Sequence, residues 1–204
     1  LFTKEIELAI LDKSVDIAVH SLKDLPTQLP QGLQIGAVLE RAEFCDALIS
    51  KNGKKLHQLT KDDVIATSSL RRKAALLTYN PDFTIIDIRG NVDTRLQKMN
   101  DGYCDAMIMA SAGLQRLGFD KYITEIISPN IMIPATSQGI IGIECRENDD
   151  KILEILSKIN HTRTWQMAQA ERAFLHAMHG GCQLPLGCIS SIDNNTITLR
   201  GFIS

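Results

Sequence analysis

The most constraining feature of the sequence is a regular alternation of apolar and amphipathic segments over residues 64–117. Three short apolar segments with the pattern of strands each precede a segment with the pattern of a helix, in the order 64–67, 68–79, 84–88, 91–100, 105–109 and 110–117. Three strand–helix units in succession are typical of a parallel or mixed sheet covered by helices. We therefore predict an α/β fold.

The flanking segments extend this alternation in both directions. Helices are predicted over 2–12, 149–159 and 163–179, and strands over 15–20, 33–39 and 140–144, with short strands at the end of the chain. Residues 131–136 contain Pro134 and are predicted to form a connection.

The composition excludes several classes of function. No window approaches the roughly 18 to 20 consecutive apolar residues of a membrane helix, so no membrane-spanning segment is predicted. A net charge of −2 and an aromatic content of 5% argue against a nucleic-acid-binding surface. The five cysteines form no CxxC pair, which argues against a disulfide framework or a metal site and favours a reducing compartment.

Arginine residues follow the predicted strands at the turns into the helices. In the segment 68–72 (Ser-Ser-Leu-Arg-Arg), both serines can cap the helix that begins here. The free amide groups and the positive end of the helix dipole then face the same crevice as Arg71 and Arg72. We therefore predict an anion site at this helix start.

The next two turns repeat this arrangement. Arg89, Gly90 and Arg95 surround the second turn, where Gly90 permits a tight backbone, and Arg116 lies on the helix after the third turn. Because the carboxyl ends of parallel strands line one crevice, at least four guanidinium groups are predicted to converge on a polyanion. Arginine suits carboxylates and phosphates equally, so the ligand stays open between them. The alternative is that the arginines pair with surface acids such as Asp82, Asp93 and Asp101.

A second group of polar residues ends the strand predicted over 15–20. Ser21, Lys23 and Asp24 follow His20 within four residues. A carboxylate beside Lys23 and facing an arginine-lined crevice would stay ionised, which suits it to stabilise a developing cation or to transfer a proton. Taken alone, the segment favours a simpler interpretation, in which Asp24 caps a helix before a proline turn. His20 is predicted to be a buried, hydrogen-bonded core residue.

The third group is residues 180–187, Gly-Gly-Cys-Gln-Leu-Pro-Leu-Gly. Two glycines before Cys182 remove side-chain bulk and permit unusual backbone angles, so the thiol is predicted to be presented on a loop where a large group can approach it. The other cysteines are predicted to be structural: Cys45, Cys104, Cys145 and Cys188.

Six motifs in these segments resemble those of the porphobilinogen deaminase family. They are residues 20–26 (HSLKDLP), 67–72 (TSSLRR), 87–95 (DIRGNVDTR), 112–118 (AGLQRLG), 138–146 (QGIIGIECR) and 171–187, which begins ERAFL and ends GGCQLPLG. The motifs occur in the family's order over essentially the whole chain. Six motifs in register are far more specific than any one of them.

The resemblance implies a transferase of tetrapyrrole (heme) biosynthesis. Members of this family join four porphobilinogen molecules head to tail, release ammonia each time and deliver linear hydroxymethylbilane. They build the chain on a dipyrromethane cofactor, held by a thioether to the cysteine that matches Cys182, and the carboxylate that matches Asp24 is their central catalytic group. The growing chain carries acetate and propionate groups, which gives the arginines a carboxylate-rich ligand.

The resemblance also implies a role for each matching side chain. Asp24 is expected to be catalytic, and Cys182 is expected to hold the cofactor covalently. Further cofactor contacts are expected from Lys23, Thr67, Ser69, Arg71, Arg72 and Gly90. Substrate contacts are expected from Ser21, Arg89, Arg95, Arg116 and Gln138.

The family fold implies three domains. The first two resemble type II periplasmic binding proteins, with mixed sheets covered by helices, and the third is a small α+β domain. Mapped onto this sequence, domain 1 takes residues 1–40 and 139–158, domain 2 takes 44–133 and domain 3 takes 162–204. By the same resemblance we expect the chain to be a fragment that lacks the family's N-terminal segment and part of domain 3. The whole protein is expected to be a cytoplasmic monomer that binds neither membranes nor nucleic acid.

A protein of a different class is the alternative, namely a non-catalytic two-lobed protein that binds a small polycarboxylate. Such a protein would need the arginines, but neither a reactive carboxylate nor a thiol presented by glycines. Asp24 and Cys182 therefore favour the enzyme over the binding protein.

Overall fold

The computed structural model describes residues 2–178 and 185–204. Its helices are α1 (Phe2–Leu11), α2 (Leu70–Tyr79), α3 (Val92–Asn100), α4 (Ser111–Arg116), α5 (Asp150–Ser157) and α6 (Thr162–Ala177). Its strands are β1 (Ile17–Ser21), β2 (Leu33–Val38), β3 (Asp46–Ser50), β4 (Val64–Ala66), β5 (Thr84–Ile86), β6 (Ala106–Ala110), β7 (Glu125–Ile126), β8 (Ile141–Arg146), β9 (Leu186–Asp193) and β10 (Thr196–Ile203). Every helix in the described ranges is too short or too polar to cross a membrane.

The chain forms two compact units. The first contains the described residues of 1–42, 136–182 and 188–200, and the second contains those of 43–135, 183–187 and 201–204. The three-domain division drawn from the sequence stays a prediction.

The second unit contains the mixed sheet that the alternation predicts. Its strands lie in the order β5-β4-β6-β3-β7, with β4 parallel to β5 and β6, and β3 antiparallel to β6 and β7. Because side chains alternate along a strand, Leu48 and Ile108 enter one core cluster while Ile49 and Met107 enter the other. Helix α2 packs on the first face, and α3 and α4 pack on the second. The predicted α/β class is confirmed.

Sequence analysis does not predict β3 and β7. Strand β3 lies between β6 and β7 and buries both of its faces, so Ala47, Leu48 and Ile49 show no alternation by which a strand could be recognised. Strand β7 has two residues, fewer than any periodicity needs.

The first unit contains a three-stranded sheet in the order β1-β8-β2, with β8 antiparallel to both neighbours. A bulge interrupts β2 between Ile35 and Ala37. A Cβ atom at Gly36 would lie 2.5 Å from Leu156 Cδ1 and 2.7 Å from Cys145 Sγ, so only glycine lets helix α5 pack this closely on β2.

Helix α6 and the hairpin β9–β10 follow. Helix α6 begins after His161, whose ring accepts a hydrogen bond from the Thr164 amide, and its Ala168 joins the core of the first unit. The predicted short strands are longer than expected, with eight residues each. They meet at Asn194 and Asn195, whose φ values of 44° and 62° belong to a hairpin turn that asparagine tolerates well.

Candidate functional site

Strand β1 ends in a short 3-10 helix that carries the predicted catalytic carboxylate. This helix, which we call the Asp24 turn, covers Leu22–Asp24. Leu22 is buried, Lys23 is half-buried and Asp24 is exposed. Asp24 is the last residue of the turn rather than the residue before a helix, so the simpler interpretation of Asp24 as a helix cap is wrong. The turn instead presents a carboxylate directly after a sheet strand.

The Asp24 turn lies against the segment that leads into β8. Lys23 Nζ donates to Gln138 Oε1 at 3.3 Å, and the Leu22 amide donates to the Ile140 carbonyl at 2.9 Å. Gln138 is buried and lies between two residues with positive φ, Ser137 at 61° and Gly139 at 84°. The structure thus brings together two predicted ligand-binding residues, Lys23 and Gln138, that are 115 positions apart. Ser21, one residue before the turn, is half-buried and pairs with Ile141 on β8.

A buried acid that sequence reasoning did not select fixes the segment around Gln138. Glu171 of α6 is fully buried, and its oxygens accept hydrogen bonds from Arg41 Nη1 (2.6 Å) and from the amides of Ser137 (2.7 Å) and Ser190 (2.9 Å). Arg41 Nε also donates to the Gln138 carbonyl at 3.0 Å. The network therefore fixes the backbone on which the Gln138 amide is carried. Its only sequence signal is that Glu171 begins one of the six motifs.

Helix α2 in the second unit begins where the motif predicts, but its two serines differ in role. Ser69 is the N-cap, and its Oγ accepts from the Arg72 amide at 3.5 Å. Ser68 is no cap, because its Oγ donates to the Ile88 carbonyl (2.9 Å) and accepts from the Ile88 amide (3.0 Å). The prediction that both serines cap is thus right for Ser69 and wrong for Ser68. Thr67 is buried, and its Oγ1 accepts from the Ser69 amide at 3.3 Å.

Arg71 and Arg72 share a carboxylate that the sequence did not single out. Asp46, at the start of β3, is fully buried. Its Oδ2 accepts from Arg71 Nη1 at 2.8 Å, and its Oδ1 accepts from Arg72 Nη2 at 2.7 Å and Nε at 3.1 Å. Each guanidinium also donates to a backbone carbonyl, Arg71 to Ile133 (2.7 Å) and Arg72 to Ile108 (3.0 Å). The surface acids considered for these two arginines are therefore not their partners.

Positive charge accumulates around this pair. Burial lowers the pKa of Arg71. The negative charge of Asp46 opposes this decrease, and the positive charge of the neighbouring Arg72 adds to it. The pKa of Arg95 is lowered by burial and by repulsion from Arg72. All three guanidinium groups remain charged at neutral pH. We call these three arginines and Asp46 the guanidinium cluster; its positive charges exceed its negative charge.

Arg95 of the cluster and the remaining predicted arginines, Arg89 and Arg116, lie nearer to solvent than Arg71 and Arg72. Arg95 Nε donates to the Gly90 carbonyl at 2.7 Å, and Gly90 has a φ of 123°, where a Cβ would lie 2.7 Å from Thr94. The prediction that Gly90 allows a tight turn is confirmed. Arg89 and Arg116 are exposed, and within the described ranges no hydrogen bond or ion pair joins either side chain to the cluster.

Comparison of the sequence with models of known protein families identifies the family to which the chain belongs. Residues 1–154 match the model described as porphobilinogen deaminase, dipyromethane cofactor binding domain, and residues 165–204 match porphobilinogen deaminase, C-terminal domain. The chain belongs to the porphobilinogen deaminase family.

Curated relatives agree over the whole chain. It is 50% identical over 204 residues to the porphobilinogen deaminase of Desulforamulus reducens and 46% identical over 204 residues to that of Brevibacillus brevis. All of this chain is covered in both comparisons, but it spans only 66% of the length of each relative.

A solved structure agrees with the fold. A methionine-binding lipoprotein of Bacillus subtilis superposes with a TM-score of 0.52 at 14% identity, covering 88% of this chain and 81% of the lipoprotein. The predicted likeness to periplasmic binding proteins is thereby confirmed for the fold alone.

The described residues fit the dipyrromethane that gives the matched family domain its name. A group built from two porphobilinogen units carries several carboxylates. The guanidinium cluster has more positive than negative charge, and a buried cation of this kind gains from an anionic partner. Arg71, Arg72 and Arg95 are therefore suited to hold such carboxylates. Cys182, the predicted attachment site, lies outside the described residues.

The other four cysteines are buried thiols, as predicted for structural residues. Burial raises the pKa of Cys145, raises that of Cys104 to about 11 and raises that of Cys188 to about 12. The nearby acids Asp105 and Glu171 add to the last two shifts. Since the thiolate is the nucleophile, these three groups have almost none of the reactive form near neutral pH.

We predict that Cys45, Cys104, Cys145 and Cys188 resist alkylation in the folded chain. Iodoacetamide at about pH 8, where an ordinary thiol is partly ionised, is expected to label none of the four within the time that fully labels them in urea. Peptide mass mapping of the two samples measures the difference. Rapid labelling of Cys104 or Cys188 in the folded protein would show that burial does not protect it.

Proposed function

We propose that the protein from which this chain comes is a hydroxymethylbilane synthase, a transferase that joins four porphobilinogen molecules head to tail with release of ammonia. The carrying observation is that all 204 residues align with porphobilinogen deaminases at 46–50% identity, with Asp24 and the guanidinium cluster inside the matched cofactor-binding domain. We further propose that it is a cytoplasmic monomer of tetrapyrrole biosynthesis.

Asp24 is the proposed catalytic carboxylate. When the C–N bond of porphobilinogen breaks, ammonia leaves and positive charge spreads onto the pyrrole nitrogen. When the new C–C bond forms, positive charge arises on the attacking pyrrole and a ring proton is lost, which balances the proton that ammonia carries away. A carboxylate held in place there can accept a hydrogen bond from the pyrrole N–H and stabilise the positive charge at both stages. The exposed position of Asp24 at the end of the Asp24 turn, directly after strand β1, supports this role.

The arginines are the proposed binding groups. Because Arg72 already gives its Nε–Nη2 fork to Asp46, the guanidinium cluster binds acetate and propionate side chains through the other N–H groups of Arg71 and Arg95. Ser69 and the first amides of α2 add donors at the same helix end. Arg89 and Arg116, being exposed, remain available to carboxylates of the substrate. Lys23, held by Gln138, adds a cation next to Asp24.

The proposed attachment of dipyrromethane to Cys182 gives the most direct test. When bound, this group supplies the pyrrole carbon to which the first porphobilinogen is joined. The intact mass of the full-length gene product is expected to exceed the sequence mass by one dipyrromethane, carried on the peptide that contains Cys182. Cys182→Ser is expected to lose the addition, whereas Cys45→Ser, at a buried structural thiol, is expected to keep it.

Two results would contradict this proposal. An addition that survives in Cys182→Ser would assign the attachment to another atom. An unmodified thiol in a folded full-length protein, unchanged after incubation with porphobilinogen, would favour a binding protein that uses the same arginines for a small polycarboxylate.

A further inference from the structure

A buried acid close to the Asp24 turn has no part in the proposed mechanism. Glu144 lies on β8, the central strand of the first unit's sheet, and is 0% exposed. Its Oε2 lies 3.0 Å from Nε2 of His20 on β1, and that imidazole is itself 9% exposed. Its Oε1 has no hydrogen-bond partner within the described ranges.

The surroundings of Glu144 disfavour a carboxylate. An ionised carboxylate needs donors on both oxygens when water is excluded, and Glu144 has one candidate donor, His20. Helix α1 contributes a second acid, Glu7, which is also buried, and the paired residue on β2 is the apolar Ile35. Burial raises the pKa of Glu144. The charge and hydrogen bond of His20 oppose this rise, whereas the negative charge of Glu7 adds to it.

We propose that Glu144 and His20 form a neutral hydrogen-bonded pair that positions the Asp24 turn. Glu144 keeps its proton on Oε2 and donates it to Nε2 of His20, and His20 carries its own proton on Nδ1. The unpartnered Oε1 is then a carbonyl oxygen, which costs less to bury alone than a carboxylate oxygen. The role in catalysis rests on the function proposed above for Asp24, whereas the proton placement does not.

The sheet connects the pair to the turn over a short distance. His20 pairs with Gly142 on β8, and two residues later the Leu22 amide donates to the Ile140 carbonyl at 2.9 Å. A Cβ at Gly142 would lie 2.9 Å from Leu22 Cδ1, so Leu22 packs directly over that glycine. Glu144 follows two positions after Gly142 on the same face of β8. Loss of the proton from Glu144 would therefore place an uncompensated charge beside the strand end that holds Asp24.

Proton placement can be measured on the 204-residue chain without an activity assay. Nitrogen-15 NMR distinguishes a protonated ring nitrogen from an unprotonated one, and His20→Gln identifies the His20 signals by their loss. We expect Nδ1 to be protonated and Nε2 to be unprotonated at neutral pH, with the exposed His57 as the comparison signal in the same spectrum. A His20 ring protonated on both nitrogens would overturn the neutral pair.

Stability gives a second readout, which also serves if His20→Gln fails to fold. On folding, a carboxyl with a raised pKa takes up a proton, as Glu144 does, while its neutral histidine partner releases one, so the two changes cancel up to the ordinary pKa of histidine, about 6.5. The free energy of unfolding then falls as pH rises from there to the pH at which the folded pair loses its proton. We expect Glu144→Gln to remove this decline, and Glu5→Gln, at an exposed acid of α1, to leave it in place. Equal pH slopes for Glu144→Gln and wild type would contradict the proposal.

The positioning role is tested in the full-length protein. Glu144→Gln retains an uncharged donor to Nε2 and is expected to extend turnover to higher pH, whereas Glu144→Ala is expected to lower kcat about tenfold, equivalent to about 1.4 kcal/mol. Loss of activity in both variants would show that the ionised acid is needed. If wild type makes no hydroxymethylbilane, the proposed function fails, while the NMR result still decides the pair.

Discussion

Asp24→Ala in the full-length protein is expected to lower kcat about 10²–10⁴-fold, the range over which positioned proton-transfer and charge-stabilising groups act. The effect should fall on turnover, because the arginines that bind the substrate carboxylates are unchanged. Asp24 is exposed at the end of its turn, so its removal leaves no cavity and no unpaired buried group. The free energy of unfolding is therefore expected to stay within about 0.5 kcal/mol of wild type.

Steady-state formation of hydroxymethylbilane measures this effect. Asp62→Ala, at another exposed aspartate, is the control and is expected to keep normal turnover. Near-normal activity of Asp24→Ala would remove this carboxylate from the proposed chemistry. A large loss of stability would instead show that Asp24 supports the turn.

The strand–helix units of the second unit could be predicted from the sequence because each has its own periodic pattern. The strands β4, β5 and β6 and their helices were predictable because each strand–helix unit shows its own periodicity, and Gly90 was predictable because a tight turn needs a positive φ. For the same reason, Arg71 and Arg72 lie in the first turn of α2 and Arg116 lies on α4, as predicted.

The partners of those arginines could not be predicted from the sequence. Asp46 precedes Arg71 by 25 positions and begins β3, a strand without alternation, so neither the strand nor its acid was recognised. Pairing β3 with β6 is a long-range event that brings Asp46 beneath helix α2. The role of Glu171 could not be predicted either, because its hydrogen-bond donors, Arg41, Ser137 and Ser190, lie in three segments that are distant in sequence.

Asp46→Asn is expected to lower the free energy of unfolding by about 3–5 kcal/mol, because removing one member of a buried ion pair leaves the other charge uncompensated. Here the loss leaves two guanidinium groups, Arg71 and Arg72, without their shared carboxylate, and both are at least nine-tenths buried. Urea unfolding of the 204-residue chain, followed by circular dichroism, measures the effect.

Asp87→Asn provides the matched control, because Asp87 pairs with Lys73 at 2.7 Å but its side chain is 66% exposed. Exposed pairs contribute about 0–1 kcal/mol, so this variant should unfold close to wild type. The same change at Asp46 also raises the positive charge of the guanidinium cluster, and citrate, a tricarboxylate, is therefore expected to stabilise Asp46→Asn more than it stabilises wild type. Equal stability of the two aspartate variants would show that the buried arginines do not need Asp46. An equal response to citrate in Asp46→Asn and wild type would argue that the cluster is not an anion site.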